Sequence, residues 1–122
     1  MDYLIGFEYE YYNSYKDFMN KNSNPLIHYI TRYGFKAPSE VDFSNVEDEI
    51  FIMFGKESTG IPKEILKDHL DFCYRLPMKE DARSLNLSNC VAIVVYEVLR
   101  QQNYISLAKN EVIKGRDYLM KD

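Results

Sequence analysis

The run Glu49-Ile50-Phe51-Ile52-Met53-Phe54 constrains this chain more than any other feature. After its first residue it is apolar at every position, and it stops at Gly55. A strand with one wet face alternates polar and apolar residues. A continuous run instead suits a strand covered on both faces, as in a parallel sheet. The flanking sequence agrees. A loop, Gly55-Lys56-Glu57-Ser58-Thr59-Gly60, leads to Ile61-Pro62, and Pro62 suits the first turn of a helix reaching residue 67. Upstream, Leu26-Ile27-His28-Tyr29-Ile30-Thr31 is a second β-rich run. Downstream, Phe72-Cys73-Tyr74-Arg75-Leu76 is a third, closed by Pro77. Asn13 or Ser14 offers an N-cap for a short helix over 15–20. A long helix is expected over 87–102. Its middle, Val91-Ala92-Ile93-Val94-Val95-Tyr96, is apolar on all sides and is expected to be buried all round. A last, amphipathic helix is expected over 106–119. Phe7-Glu8-Tyr9-Glu10-Tyr11 alternates with a period of two and reads as a short strand or extended segment. Strands alternating with helices imply an α/β domain built on a parallel sheet.

The chain has 122 residues, enough for one domain with a core of its own. Hydrophobic residues make up 46% of it, which excludes a disordered tail. The net charge of −4 gives no hint of nucleic-acid binding, so such a reading has to rest on local motifs. Five acids between Glu40 and Glu49, without one base, should repel a phosphate backbone. Cys73 and Cys90 are too few for a disulfide framework or a zinc site. They read as small buried hydrophobes in a reduced compartment. No apolar run reaches the ~20 residues of a membrane span. Met1-Asp2-Tyr3-Leu4 lacks the basic start of a secretory signal, so a soluble cytoplasmic protein is expected.

Three segments could carry chemistry. The first is the loop 55–60. Its Gly-Lys pair and nearby Ser-Thr suggest a phosphate loop. That motif needs a glycine where Ile50 stands and a hydroxyl residue where Glu57 stands, so it is rejected. What remains is a glycine-bearing strand-to-helix connection, which in open sheets is also where ligands bind. The second segment, Arg75-Leu76-Pro77-Met78, is on its own a strand end. In the third, Arg83-Ser84-Leu85-Asn86-Leu87-Ser88-Asn89, Ser and Asn could cap the long helix, but there are more polar groups than one cap needs. His28 reads as a packed or edge residue and His69 as a helix-end residue. The tyrosine-rich start reads as core or protein interface, because its interleaved charges are acidic.

Taken in order, Phe54-Gly55-Lys56-Glu57-Ser58-Thr59-Gly60-Ile61-Pro62, Arg75-Leu76-Pro77-Met78 and the 83–89 segment, leading into Val95-Tyr96-Glu97 and Arg100-Gln101, resemble the SpoU branch of the SPOUT RNA 2′-O-ribose methyltransferases. Within that branch they are most similar to the small tRNA (cytidine/uridine) wobble-position enzymes. The resemblance implies an α/β parallel sheet with a C-terminal trefoil knot, S-adenosylmethionine as methyl donor, no metal, a homodimer, and tRNA as partner. It places donor contacts on Ile30, Gly55, Leu76 and Ser84. Glu57 and Asn86 match polar residues of the second and third family motifs. Tyr96 matches a tyrosine of the long helix near the dimer interface. These three are the catalytic candidates. Family members begin with a strand, a Pro/Asn/Gly-containing loop and an arginine-bearing helix, whereas Met1-Asp2-Tyr3 here matches the middle of the family sequence. The expectation is a single domain over 1–122 lacking its first strand-helix-strand portion. The competing expectation is a non-catalytic dimerising or RNA-binding remnant of that family.

Overall fold

The computed structural model describes residues 8–79 and 86–121. Three parallel strands form its sheet: β1 (Ile27–Ile30), β2 (Phe51–Met53) and β3 (Cys73–Tyr74). The order is β2-β1-β3, with Ile27 opposite Phe51, Tyr29 opposite Met53 and Ile30 opposite Tyr74. β1 is therefore the centre, and the chain leaving β2 crosses to the other side of β1. All three strands fall inside the apolar runs expected to form them, and each is shorter than its run.

Helix α1 (Tyr15–Lys21) starts at Ser14, whose hydroxyl accepts from the Asp17 N–H at 3.0 Å. Helix α2 (Lys63–Leu66) follows Pro62, as its fixed φ favours. Both cover one face of the sheet. Ile27, Tyr29, Ile61, Leu66 and Cys73 are buried there, with Phe18, Met19, Phe51 and Ile65 against them. Tyr29 is held on two sides: its hydroxyl lies 2.8 Å from that of Tyr15, and His69 stacks on its ring with centroids 5.1 Å apart. Burial first, and Tyr15 second, keep the Tyr29 phenol protonated well above its usual range.

Phe43 and Tyr74 are buried outside that cluster, as is Val94 of helix α3 (Leu87–Gln101). Its end is tied to the β1–β2 connection. The Phe43 N–H donates to Gln101 Oε1 at 2.7 Å, and Gln102 Nε2 donates to the Phe43 carbonyl at 3.0 Å. Glu97 braces this corner. It accepts two bonds from Arg100, both 2.9 Å, and one from Gln101 at 2.7 Å. These bonds, Arg100 foremost, hold the Glu97 carboxyl below its ordinary range.

Three expectations are corrected. α3 is not buried all round: Val94 is fully buried, while Val91, Ile93, Val95 and Tyr96 are exposed, because no other described residue covers them. The helix expected over 106–119 does not form. Residues there take turns and bends, with one 3-10 turn at Tyr118–Met120. Val112, Ile113 and Leu119 are exposed, with no cover among the described residues, and a lone helix of that length is marginal in water. Residues 8–12 are irregular rather than a strand, and Phe7 lies outside the described residues. Tyr9 and Tyr11 are exposed, and Tyr12 packs edge-to-face on Phe18 at 5.0 Å.

Candidate functional site

Strand direction decides where a site can form. In open parallel sheets, ligands bind beyond the carboxyl ends of the strands, where the loops diverge. Ile30 is the last residue of β1. Gly55 lies two residues beyond β2, and Leu76 two residues beyond β3. Segments far apart in sequence are thus brought to one edge of the sheet. Ser84 lies outside the described residues.

Gly55 has φ +84°, a conformation that side chains with a Cβ rarely adopt. A Cβ there would meet the Glu57 backbone nitrogen and the Leu87 side chain at 3.8 Å, ordinary van der Waals contact. The loop turns twice more through positive φ, at Ser58 and Gly60, and closes with the Gly60 N–H on the Lys56 carbonyl at 2.7 Å. Its backbone stays accessible as a result. Leu76 and Met78 are half-buried, so the neighbouring loop offers apolar surface. Glycine backbone beside apolar side chains suits a flat, uncharged ring system. These features fit an adenosine-bearing donor.

The three catalytic candidates are placed differently. Glu57 is exposed in the loop, and its carboxylate has no partner among the described residues. Asn86 is the N-cap of α3. Its Oδ1 accepts from Ser88 N–H at 2.9 Å, Ser88 Oγ at 2.6 Å and Asn89 N–H at 3.4 Å. Asn86 thereby fixes the start of the helix that brings Leu87 against Gly55. Tyr96 is 62% exposed, on the uncovered side of α3, with its ring 5.5 Å from that of Tyr104. It stands ten residues beyond Asn86, about 15 Å along the helix axis. One copy of the chain therefore does not bring Tyr96 to the Gly55 loop.

The residues missed in the sequence belong to the connection after β1. The Gly34 N–H bonds the Thr31 carbonyl at 3.1 Å, the Phe35 N–H bonds the Cys73 carbonyl at 3.2 Å, and the Arg75 N–H bonds the Lys36 carbonyl at 2.9 Å. A Cβ on Gly34 would lie 2.4 Å from the Tyr74 carbonyl carbon. Loop 31–36 is stitched to β3 and cannot separate from it. A glycine in an irregular stretch gives no periodic signal, and its partner lies forty residues on.

The opposite edge of the sheet has another character. A cleft of about 350 Å³ opens there, with Asp42, Asp48 and Glu49 beside Leu26, Phe43 and Phe51. His28 borders it and packs among Phe43, Phe72 and Tyr74. Asp42, Asp48 and Glu49 give this amino edge an acidic cluster.

The chain was compared with known proteins. The SpoU rRNA Methylase family matches residues 1–96. The chain belongs to the SpoU methylase family. A relative from Geobacillus stearothermophilus, named as a tRNA (cytidine(34)-2′-O)-methyltransferase, is 45% identical over 108 residues, covering 88% of this chain and 69% of its own length. An RNA methyltransferase structure from Bacillus anthracis superposes with TM-score 0.77 at 42% identity, covering 84% of this chain and 64% of its own. A structure described as concerning 2-OH methylation of C/U34 on tRNA gives TM-score 0.66 at 27% identity, over 75% of this chain and 58% of its own. The chain thus spans between just over half and about two thirds of these SpoU-family proteins. The family match, residues 1–96, includes all three strands of the sheet.

Proposed function

We propose that the chain acts in S-adenosylmethionine-dependent 2′-O-methylation of tRNA at the wobble nucleotide. The observation that carries this reading is the convergence of Ile30, Gly55 and Leu76 on one edge of the sheet. Each is a position at which the family resemblance places a donor contact. The names of the Geobacillus relative and of the C/U34 structure supply the substrate class. Ser84 completes the proposed donor set. The bound donor supplies an electrophilic methyl group.

The protein's part is to hold the ribose hydroxyl in line and to take its proton. Glu57, a carboxylate without a partner in the loop that would carry the donor, is the proposed acceptor. Asn86 positions the start of α3 beside Gly55. Holding both reactants in near-attack geometry supplies most of the rate in such a transfer. Tyr96 is proposed to act from the exposed side of α3, at the interface of a homodimer. What supports the dimer is that apolar side chains of α3 are left exposed, Val91 and Val95 one turn apart on one face and Ile93 on another. What supports the trefoil knot is that the β1–β2 connection is bonded from both sides by later chain, at Lys36 by Arg75 and at Phe43 by Gln101 and Gln102. No helix among the described residues is long and apolar enough to cross a membrane, in keeping with the proposed cytoplasmic setting.

Titration calorimetry with S-adenosylmethionine and its demethylated product tests the donor site. Binding should be seen with the native chain and lost on Gly55→Val, because valine cannot hold φ +84° without strain and its methyls would crowd Leu87 and the loop backbone. No binding by a demonstrably folded native chain at millimolar donor contradicts the reading.

A further inference from the structure

We propose that loop 31–36, Thr31-Arg32-Tyr33-Gly34-Phe35-Lys36, with Arg75 is the surface on which this chain grips its RNA, stacking unpaired bases on Tyr33 and Phe35 and pairing Arg32, Lys36 and Arg75 with phosphates. The inference rests on the RNA-methylating reading above and names the residues that would meet that substrate.

Three observations carry it. The first is exposure on a rigid frame. Tyr33 and Phe35 are each 72% exposed, yet the backbone under them is fixed. Three bonds stitch the loop to β3 and its end: Thr31 N–H to the Tyr74 carbonyl at 2.9 Å, Phe35 N–H to that of Cys73 and Arg75 N–H to that of Lys36. Beyond them, Tyr33 N–H donates to Thr31 Oγ1 at 3.2 Å and Arg75 Nη1 donates to the Arg32 carbonyl at 2.9 Å. Gly34 lies too close to Tyr74 and Arg75 for the loop to shift inward. Two aromatic rings held in water by an anchored loop form a stacking platform at little entropic cost on binding.

The second observation is charge. Arg32, Lys36 and Arg75 alternate with the rings, and no acid occurs from Thr31 to Ser39. Among the described residues none of the three cations is in a salt bridge. Instead the Arg32 guanidinium lies 5.6 Å from the Tyr33 ring centre and the Lys36 ammonium 5.8 Å from that of Tyr74. The chain is acidic as a whole, and three of its acids, Asp42, Asp48 and Glu49, cluster around the cleft at the opposite edge. A polyanion would therefore meet attraction at one edge and repulsion at the other. The third observation is position: the loop begins directly after Ile30, at the edge where Gly55 and Leu76 also lie. Aromatic rings interleaved with unpaired cations suit single-stranded RNA loops, whose bases are free to stack.

The test is fluorescence anisotropy with a labelled tRNA anticodon stem-loop, comparing the native chain with Tyr33→Leu, Phe35→Leu and the pair Arg32→Ala with Lys36→Ala. Leucine keeps apolar bulk and removes the π face. Each leucine variant should bind about tenfold more weakly. The double alanine variant should lower the slope of log K against log salt by about 1.4, at ~0.7 per phosphate contact. Circular dichroism and donor binding, expected unchanged, show that the variants are folded. Native RNA affinity in all variants overturns the inference while leaving the RNA reading intact. Absence of RNA binding by the folded native chain overturns both. Leucine variants that alter the association state in sedimentation, with RNA affinity unchanged, make the platform a protein interface and overturn the inference.

Discussion

Gly34 and Tyr74 approach so closely that no side chain fits between them: a Cβ on Gly34 would stand 2.4 Å from the Tyr74 carbonyl carbon and 2.6 Å from the Arg75 nitrogen. The obstacle is backbone, which cannot rotate away. Gly34→Ala must push loop 31–36 off β3 and disturb the bonds at Cys73 and Lys36. We expect a loss of roughly 2–3 kcal/mol, at the upper end of overpacking costs, read as a lower urea midpoint with unchanged slope. An alanine variant within 0.5 kcal/mol of native would show that the loop moves freely.

The Asn86 cap separates structural from chemical roles. Asn86→Ala should cost about 1 kcal/mol by leaving the Ser88 and Asn89 N–H groups without their acceptor. Asn86→Ser keeps a capping oxygen and should recover most of that. If methyl transfer in the serine variant follows its stability, Asn86 is a positioning residue. Native stability with activity lost shows a direct part in the reaction.

His28 gives the chain a pH dependence. Its Nδ1 lies 2.6 Å from the Tyr74 hydroxyl. Burial pushes that phenol up to about 12, so its hydroxyl stays protonated through the neutral range. Burial also lowers the His28 pKa below 6.5. The unfolded chain then binds the extra proton first as pH falls. Stability from this site is fully present above 6.5 and is lost progressively below it, down to the folded pKa. Urea midpoints between pH 7.5 and 5 should fall, and His28→Phe should flatten that part of the curve. An unchanged slope in the variant would remove His28 as the cause.

Much of the fold was legible in the sequence because strands buried in a parallel sheet write themselves as apolar runs, as at Ile27–Ile30 and Phe51–Met53. The site edge was legible through Gly55 and the Leu76-Pro77 strand end. α3 shows where local pattern fails. Its apolar middle says that cover is needed but not who supplies it, and within this chain only Val94 is fully covered. Residues 106–119 show the converse: an amphipathic pattern with no cover among the described residues, interrupted by Gly115 at φ +91°. Gly34 was invisible because its constraint comes from Tyr74, distant in sequence.

The exposed stripe on α3 sets the assembly test. Val91→Asp with Val95→Asp, one turn apart on the uncovered side, should convert a dimer to monomer in sedimentation at tens of micromolar without unfolding it. Val94 is unsuitable, since it is fully buried and an aspartate there would unfold the chain. A native chain that sediments as monomer contradicts the proposed dimer.

The most direct measurement is transfer of a labelled methyl group from S-adenosylmethionine to unmodified tRNA, with the labelled nucleotide identified after digestion. The account predicts label on the ribose 2′-oxygen of nucleotide 34, abolished by Gly55→Val and lowered roughly 10²-fold or more by Glu57→Gln if that carboxylate takes the proton. Label at another position, or none from a folded chain that binds both donor and tRNA, would contradict it.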